Sequence, residues 1–151
     1  MYMHLLSMNQ RSIPALPCMC ANLRRASRAL TQLYDDALRP HGLRATQFTI
    51  LQALSLAGEV SQGTLGEILA IDSTTLTRTL ETMNRRGWIA KRYGKDRRER
   101  RLCLTKSGEA QLKRATPAWE KVQAKLRREL GDGRWQDLLR LTHEATSAFT
   151  Q

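Results

Sequence analysis

The chain has 151 residues, and its 25 Lys and Arg against 14 Asp and Glu leave a formal charge of +11 at pH 7. A hydrophobic share of 41% is enough for the core of one domain, which excludes a disordered or low-complexity chain. No apolar run approaches the roughly 20 residues of a membrane span, and residues 1–17 lack an apolar stretch followed by a small-residue cleavage site. The expectation is an unexported cytoplasmic protein with no membrane partner. Cys18, Cys20 and Cys103 are odd in number and lack the spacing of a disulfide set or zinc site, so they are expected to be thiols in a reducing compartment.

In chain order, residues 1–17 are expected to form a flexible arm that ends at Pro14 and Pro17. Leu23, Ala26, Leu30 and Leu33 then recur at helical spacing and predict a first amphipathic helix. Pro40 and Gly42 punctuate the chain, and Thr46 is the expected cap of a helix that buries Phe48, Leu51 and Leu54 and stops at Gly58. Ser61 is the candidate cap of a short helix with Leu65, Ile68 and Leu69 on its buried face. Ala70 and Ile71 form a tight turn to Asp72, the next cap. From there a helix with Leu76, Leu80 and Met83 inward runs to Gly87, a residue suited to a left-handed C-terminal position. Two short helices joined by such a turn are the helix-turn-helix pattern.

The outer face of the second of these helices is unusual. Ser73, Thr74, Thr75, Thr77 and Arg78 crowd its first two turns, and Arg85 and Arg86 close its end. Short hydroxyls approach base edges closely, and Arg grips guanine O6 and N7 with two hydrogen bonds. A recognition helix inserts its N-terminal residues into the major groove, which is where these side chains fall. Two extended runs follow, Trp88 to Tyr93 and Arg100 to Leu104, around a polar loop that contains Gly94. They predict a β-hairpin whose tip projects Lys95, Arg97 and Arg98. Such a tip suits the narrow minor groove, and Asp96 is expected to orient a neighbouring Arg. Residues 72–101 hold ten Lys and Arg against four Asp and Glu, so the excess charge concentrates on this motif.

Beyond the hairpin, Leu112, Ala115, Trp119, Val122 and Leu126 make a seam along a long helix. Trp135, Leu138, Thr142, Ala145 and Phe149 make a second seam along the last one. A small winged domain closes its own core, so these seams predict pairing with a second copy through Leu23, Leu30, Leu33, Trp119, Val122, Leu126, Trp135, Leu138 and Phe149. Trp119 and Leu126 are placed on the seam, outside the winged core. Pro117 is expected either to kink the long helix or to restart it with Thr116 as cap, and the in-phase seam favours a kink.

Thr75-Leu76-Thr77-Arg78, Gly87-Trp88-Ile89, Asp96-Arg97-Arg98, and Leu104-Thr105 with Gly108 form an ordered set, and this set resembles the MarR-type winged helix-turn-helix transcriptional regulators of bacteria. The resemblance covers about Leu43 to Leu112 closely and the flanking helices loosely. It implies a mainly α fold with a β-hairpin wing, in which 43–104 form the DNA-binding region. In this scheme 18–42 and 105–151 form the helical dimerisation region of the same intertwined domain. It also implies a homodimer on double-stranded operator DNA, with Ser73 to Arg78 as the base-reading turn and Asp96 with Arg98 as the wing pair. Trp88 replaces a residue that is commonly a smaller aliphatic, and an extra arm precedes the first helix.

By the same resemblance, the expected function is a repressor released from a pseudo-palindromic operator by a signal. Cys18 and Cys20 lie where the first helix begins, in the positive field of its dipole and about a turn from Arg24 and Arg25. Similar regulators include thiol-switched repressors, so an oxidant, an electrophile, or a thiophilic metal or metalloid is one candidate signal. Cys103, in the second wing strand, is a third candidate sensor and faces away from the side of Leu102 and Leu104. A small aromatic or anionic ligand in the dimer cleft is the alternative signal, and no cofactor is required. A sequence-indifferent architectural protein would use the same basic patch. An enzyme has little support: the phosphate-binding and nucleophile-elbow glycine motifs are absent, and His143-Glu144 lacks the second His of a zincin. His4, His41 and His143 have no partners in sequence.

Overall fold

The computed structural model describes residues 13–150. By its packing the chain divides into two compact units, Met1–Gln32 and Leu33–Gln151. Residues 1–12 of the expected arm, with His4, lie outside the described residues.

The first unit contains the start of helix α1 (Met19–Leu38) and the segment before it. The Cys18 carbonyl accepts from the Asn22 N–H at 3.1 Å and so opens the helix. Asn22 Nδ2 donates to the Leu16 carbonyl at 2.6 Å, and Arg25 Nη1 donates to the Pro14 carbonyl at 2.9 Å. These two bonds hold residues 14–16 back along the helix. Ile13, Leu16, Met19 and Leu23 remain exposed, as do Cys18 and Cys20.

In the second unit, the last turns of α1 lead through a 3-10 turn (Arg39–His41) to Gly42, whose φ of +69° is the left-handed conformation glycine favours. Helix α2 (Ala45–Ala57) begins one residue before the expected cap, Thr46. The reason is a long-range acceptor: Asp35 Oδ1 takes the Ala45 N–H at 2.7 Å, and Gln47 Oε1 takes the Arg44 N–H at 3.0 Å. Ser61 caps α3 (Gln62–Leu69) by accepting from the Thr64 N–H, and Asp72 caps α4 (Ser73–Arg85), both as the sequence predicts. Strands β2 (Ile89–Tyr93) and β3 (Arg100–Leu104) form the expected hairpin. A third strand, β1 (Val60–Ser61), pairs antiparallel with β3 in the order β1-β3-β2. Two residues are too few to show a strand period, so nothing in the sequence marked it.

Helix α5 (Lys106–Leu130) runs unbroken through Pro117. The helix does not restart there: the Thr116 hydroxyl donates to the Leu112 carbonyl one turn back and caps nothing. Helix α6 (Asp132–Phe149) buries none of its residues, and Leu138, Leu139, Leu141 and Phe149 are exposed. No described helix is long and apolar enough to cross a membrane.

The core gathers Leu38, Leu43, Phe48, Ile50, Leu51, Leu54, Leu65, Leu76, Leu80, Met83, Ile89 and Leu102 around α2 and α4. Trp119 departs from the expected seam. Its ring stacks on Phe48 with centroids 5.8 Å apart, and it packs against this same core. A charge at Trp119 would therefore disturb the winged domain itself. Val122 and Leu126 are likewise buried within the single chain.

The junction of α5 with the hairpin is the tightest joint in the unit. Thr105 caps α5 through the Gly108 N–H at 3.0 Å, donates its hydroxyl to the Gly87 carbonyl at 2.6 Å, and donates its N–H to the Trp88 carbonyl at 3.1 Å. A Cβ on Gly108 would lie 2.0 Å from that Trp88 oxygen, so the backbones meet only because the residue is glycine. Gly108→Ala should lower stability by about 1 to 3 kcal/mol, the range of an overpacked core site. Thermal and urea denaturation will measure this, and an unchanged midpoint would mean the joint yields freely.

Candidate nucleic-acid interface

Thr74 and Arg78 lie on the face of α4 opposite Leu76, Leu80 and Met83, with Thr75 beside them and Ser73 at the start of the helix, and all four are exposed. Asp72 organises its tip. Asp72 Oδ1 accepts the Thr75 N–H at 2.9 Å, and Oδ2 accepts the Thr75 hydroxyl at 2.7 Å. The hydroxyl of Thr75 first, and its amide next, hold the Asp72 carboxyl below the ordinary carboxylate range. The cap is therefore a charged acceptor at neutral pH.

Two of the expected contact residues serve the fold instead. The Thr77 hydroxyl donates to the Ser73 carbonyl at 2.7 Å and accepts from Gln62 Nε2 at 3.0 Å. It is half-buried, and its bonds join α3 to α4, so it does not present a free group outward. Arg86 Nη1 donates to the Gly42 carbonyl at 2.7 Å, while its guanidinium lies 5.0 Å from the centre of the Trp88 ring. It ties the end of α4 to the turn between α1 and α2 and is a positioning residue. Arg85 stays exposed, with Nη2 3.4 Å from the Thr82 hydroxyl oxygen.

At the wing tip, Lys95, Asp96, Arg97 and Arg98 are all exposed. Asp96 does not orient a guanidinium as expected. Its Oδ1 accepts the Arg98 backbone N–H at 3.1 Å, and its carbonyl accepts the Glu99 N–H at 2.9 Å. The carboxylate therefore shapes the turn, and the turn aims the arginines. Sequence patterning did not reveal Arg101, which spans Glu59 at 3.3 Å and Glu99 at 2.9 Å and donates to the Glu59 carbonyl at 3.2 Å. The pairing of β1 with β3 brings Glu59 to Arg101, while Glu99 lies two residues before it in the chain. Tyr93, 74% exposed at the end of β2, adds an aromatic ring beside the basic tip.

The third cysteine sits lower in the wing. Cys103 is half-buried, with Sγ 3.9 Å from the carbonyl of Ala90, its partner in the ladder. Among the described residues no three His, Cys, Asp or Glu side chains converge as a metal-holding group.

A capped helix-turn-helix followed by a β-hairpin with a cationic tip defines the winged helix-turn-helix class. A family model described as the MarR family matches residues 41–99. The crystal structure of the transcriptional regulator MosR from M. tuberculosis in complex with DNA is 39% identical, with a TM-score of 0.76 over 87% of this chain and 98% of that one. The HTH-type transcriptional regulator YwoH from Bacillus subtilis, itself uncharacterised, is 27% identical over 80% of this chain and 86% of its own length. A mutant of E. coli MarR complexed with operator DNA shares the fold at 21% identity, with a TM-score of 0.76 over 83% of this chain and 91% of that one. The chain belongs to the MarR family and is a transcriptional regulator, not an enzyme.

Proposed function

We propose that the protein is a cytoplasmic repressor that binds a pseudo-palindromic operator as a homodimer and leaves it in response to a signal. The observation that supports this best is the shared exposure of the α4 hydroxyl and Arg78 face and the Lys95, Arg97 and Arg98 wing tip. Helix α4 would enter the major groove while the tip reaches the adjacent minor groove. Homodimerisation is supported by the apolar side chains left uncovered on α6, among them Leu138 and Phe149, and on α1 at Leu23. Two copies would place their recognition helices one DNA turn, roughly 34 Å, apart.

Operator affinity measured against salt concentration tests this reading. The expected stoichiometry is one dimer per duplex. Arg98→Ala should reduce the slope of log K on log salt by about one, the signature of a lost phosphate-region contact. Arg78→Ala should cost roughly 1 to 3 kcal/mol on the operator and relax its preference at one position per half-site. Arg86→Ala should weaken binding with an unchanged slope, because its guanidinium is engaged by Gly42 and Trp88. Equal affinity for operator and random duplex would favour an architectural protein instead.

For the signal, the exposure of Cys18 and Cys20 at the start of α1 supports a thiol switch. Peroxide would oxidise one thiolate to a sulfenic acid, and the second thiol would condense with it to a disulfide and release water. A quinone would add to a thiolate, and arsenite or copper(I) would bind two thiolates in place of their protons. Chemistry at the start of a dimer helix need not touch DNA. It has only to favour a dimer geometry in which the recognition helices no longer reach successive grooves, and 1.4 kcal/mol of such bias is tenfold in affinity.

A specific observation favours a second reading. A cavity of about 250 Å³ lies among Tyr34, Phe48, Thr49, Trp119 and Gln123. Tyr34, Phe48 and Trp119 give it aromatic walls beside the apolar Leu38 and Ala45, and the Tyr34 hydroxyl donates to Gln123 Oε1. Burial pushes the Tyr34 phenol above its ordinary range and keeps it a neutral donor. A small aromatic ligand fits this chemistry. Operator binding by the parent and by a Cys18→Ser, Cys20→Ser, Cys103→Ser triple variant, with and without peroxide, quinone, arsenite or copper(I), separates the two. Release of the parent alone supports the thiol switch. Equal release of both proteins, or of neither, overturns it and leaves the aromatic cavity as the leading site for the signal.

A further inference from the structure

The hydroxyls of α4 differ in what they can still offer. A threonine hydroxyl has one proton to donate and two lone pairs. The proton of Thr77 goes to the Ser73 carbonyl, and Gln62 takes one of its two lone pairs. No partner among the described residues fixes the hydroxyls of Ser73 and Thr74, so they can rotate to suit either kind of base edge. Thr75 is the exception, because it is exposed and its proton is committed to Asp72 Oδ2 at 2.7 Å.

We infer that Asp72 makes Thr75 a fixed hydrogen-bond acceptor that reads an exocyclic amine, adenine N6 or cytosine N4, and discriminates against the keto groups of guanine and thymine on the same strand. The inference rests on the operator-binding reading above and deepens it. Asp72 is ionised at neutral pH, so it has no proton with which to reverse the bond, and a bond to a charged acceptor is about twice as strong as a neutral one. To donate to guanine O6 or thymine O4, Thr75 would have to break that bond and leave Asp72 Oδ2 without it. To accept from an amine it has only to present a lone pair. Arg78, three residues on and on the same face, is donor-only. The helix thus sets an acceptor and then a donor against the groove, a polarity that a list of hydrogen-bonding residue types does not contain.

The test uses the full-length reduced protein and a duplex selected by the parent from random sequences. One half-site position should favour adenine or cytosine over guanine and thymine on one strand. Removing the amine there, with purine in place of adenine or 2-pyrimidinone in place of cytosine, should weaken binding roughly three- to tenfold, the range of one net hydrogen bond. Thr75→Ser keeps the hydroxyl and should show the same loss. Thr75→Val keeps the shape without the lone pairs and should be indifferent to the analogue, with the Arg78 position unchanged and the helical circular dichroism of the parent. A parent motif in which Thr75→Val still loses affinity with the analogue overturns the inference, as does thymine or guanine enrichment at that position that Thr75→Val abolishes. A parent that selects no motif overturns the operator reading itself, and this inference with it.

Discussion

Everything the outer face of α4 can do depends on how its inner face is held. Leu76, Leu80 and Met83 are 2%, 0% and 0% exposed, so the rotation of the helix about its axis is fixed by three side chains. Each contributes about 2 kcal/mol of burial, and turning the helix by one residue would carry them toward water. The charged and hydroxyl-bearing side chains are therefore aimed by the apolar ones. This is why Thr74, Thr75 and Arg78 face outward together.

The ends of the same helix are held by polar bonds, which set its position along and across the domain. Asp72 fastens the first turn, Gln62 ties Thr77 to the preceding helix, and Arg86 grips the Gly42 carbonyl at the exit from α1. The 3-10 turn before Gly42 is held from the other side, since Gln111 of α5 donates to the His41 carbonyl. Just after α4, the Trp88 carbonyl is pressed against Gly108 at the start of α5. Helix α4 is thus joined at its far end to the last turn of α1 and to α5. A shift of either element would be carried directly to that end of α4.

Much of this follows directly from local signals along the chain. Leu76, Leu80 and Met83 recur at the helical period, Ser61 and Asp72 cap where short polar residues should, and Gly87 takes the left-handed φ of +76° its place after α4 demands. The hairpin and its cationic tip follow from Gly94 and the flanking extended runs. What the sequence hid was set by partners distant along the chain. Asp35 moved the start of α2, Leu102 recruited Val60 into a third strand, and Phe48 took up Trp119, so that its seam faces the chain's own core. The same holds at the interface: Arg86 reads as a phosphate contact until Gly42 and Trp88 are seen beside it, and Thr77 reads as a base contact until Gln62 is. Residue type announced the chemistry of the face, and tertiary contacts decided which members were free to use it.

In the proposed operator complex, α4 lies in the major groove while the wing tip lies in the minor groove beside it. Dimethyl sulfate protection on the selected operator tests this directly, because the reagent reports guanine N7 in the major groove and adenine N3 in the minor groove. Guanine N7 should be protected within each half-site and adenine N3 on its flank, with Arg98→Ala losing only the flank. Protection confined to one groove, or flank protection that persists without Arg98, would contradict it.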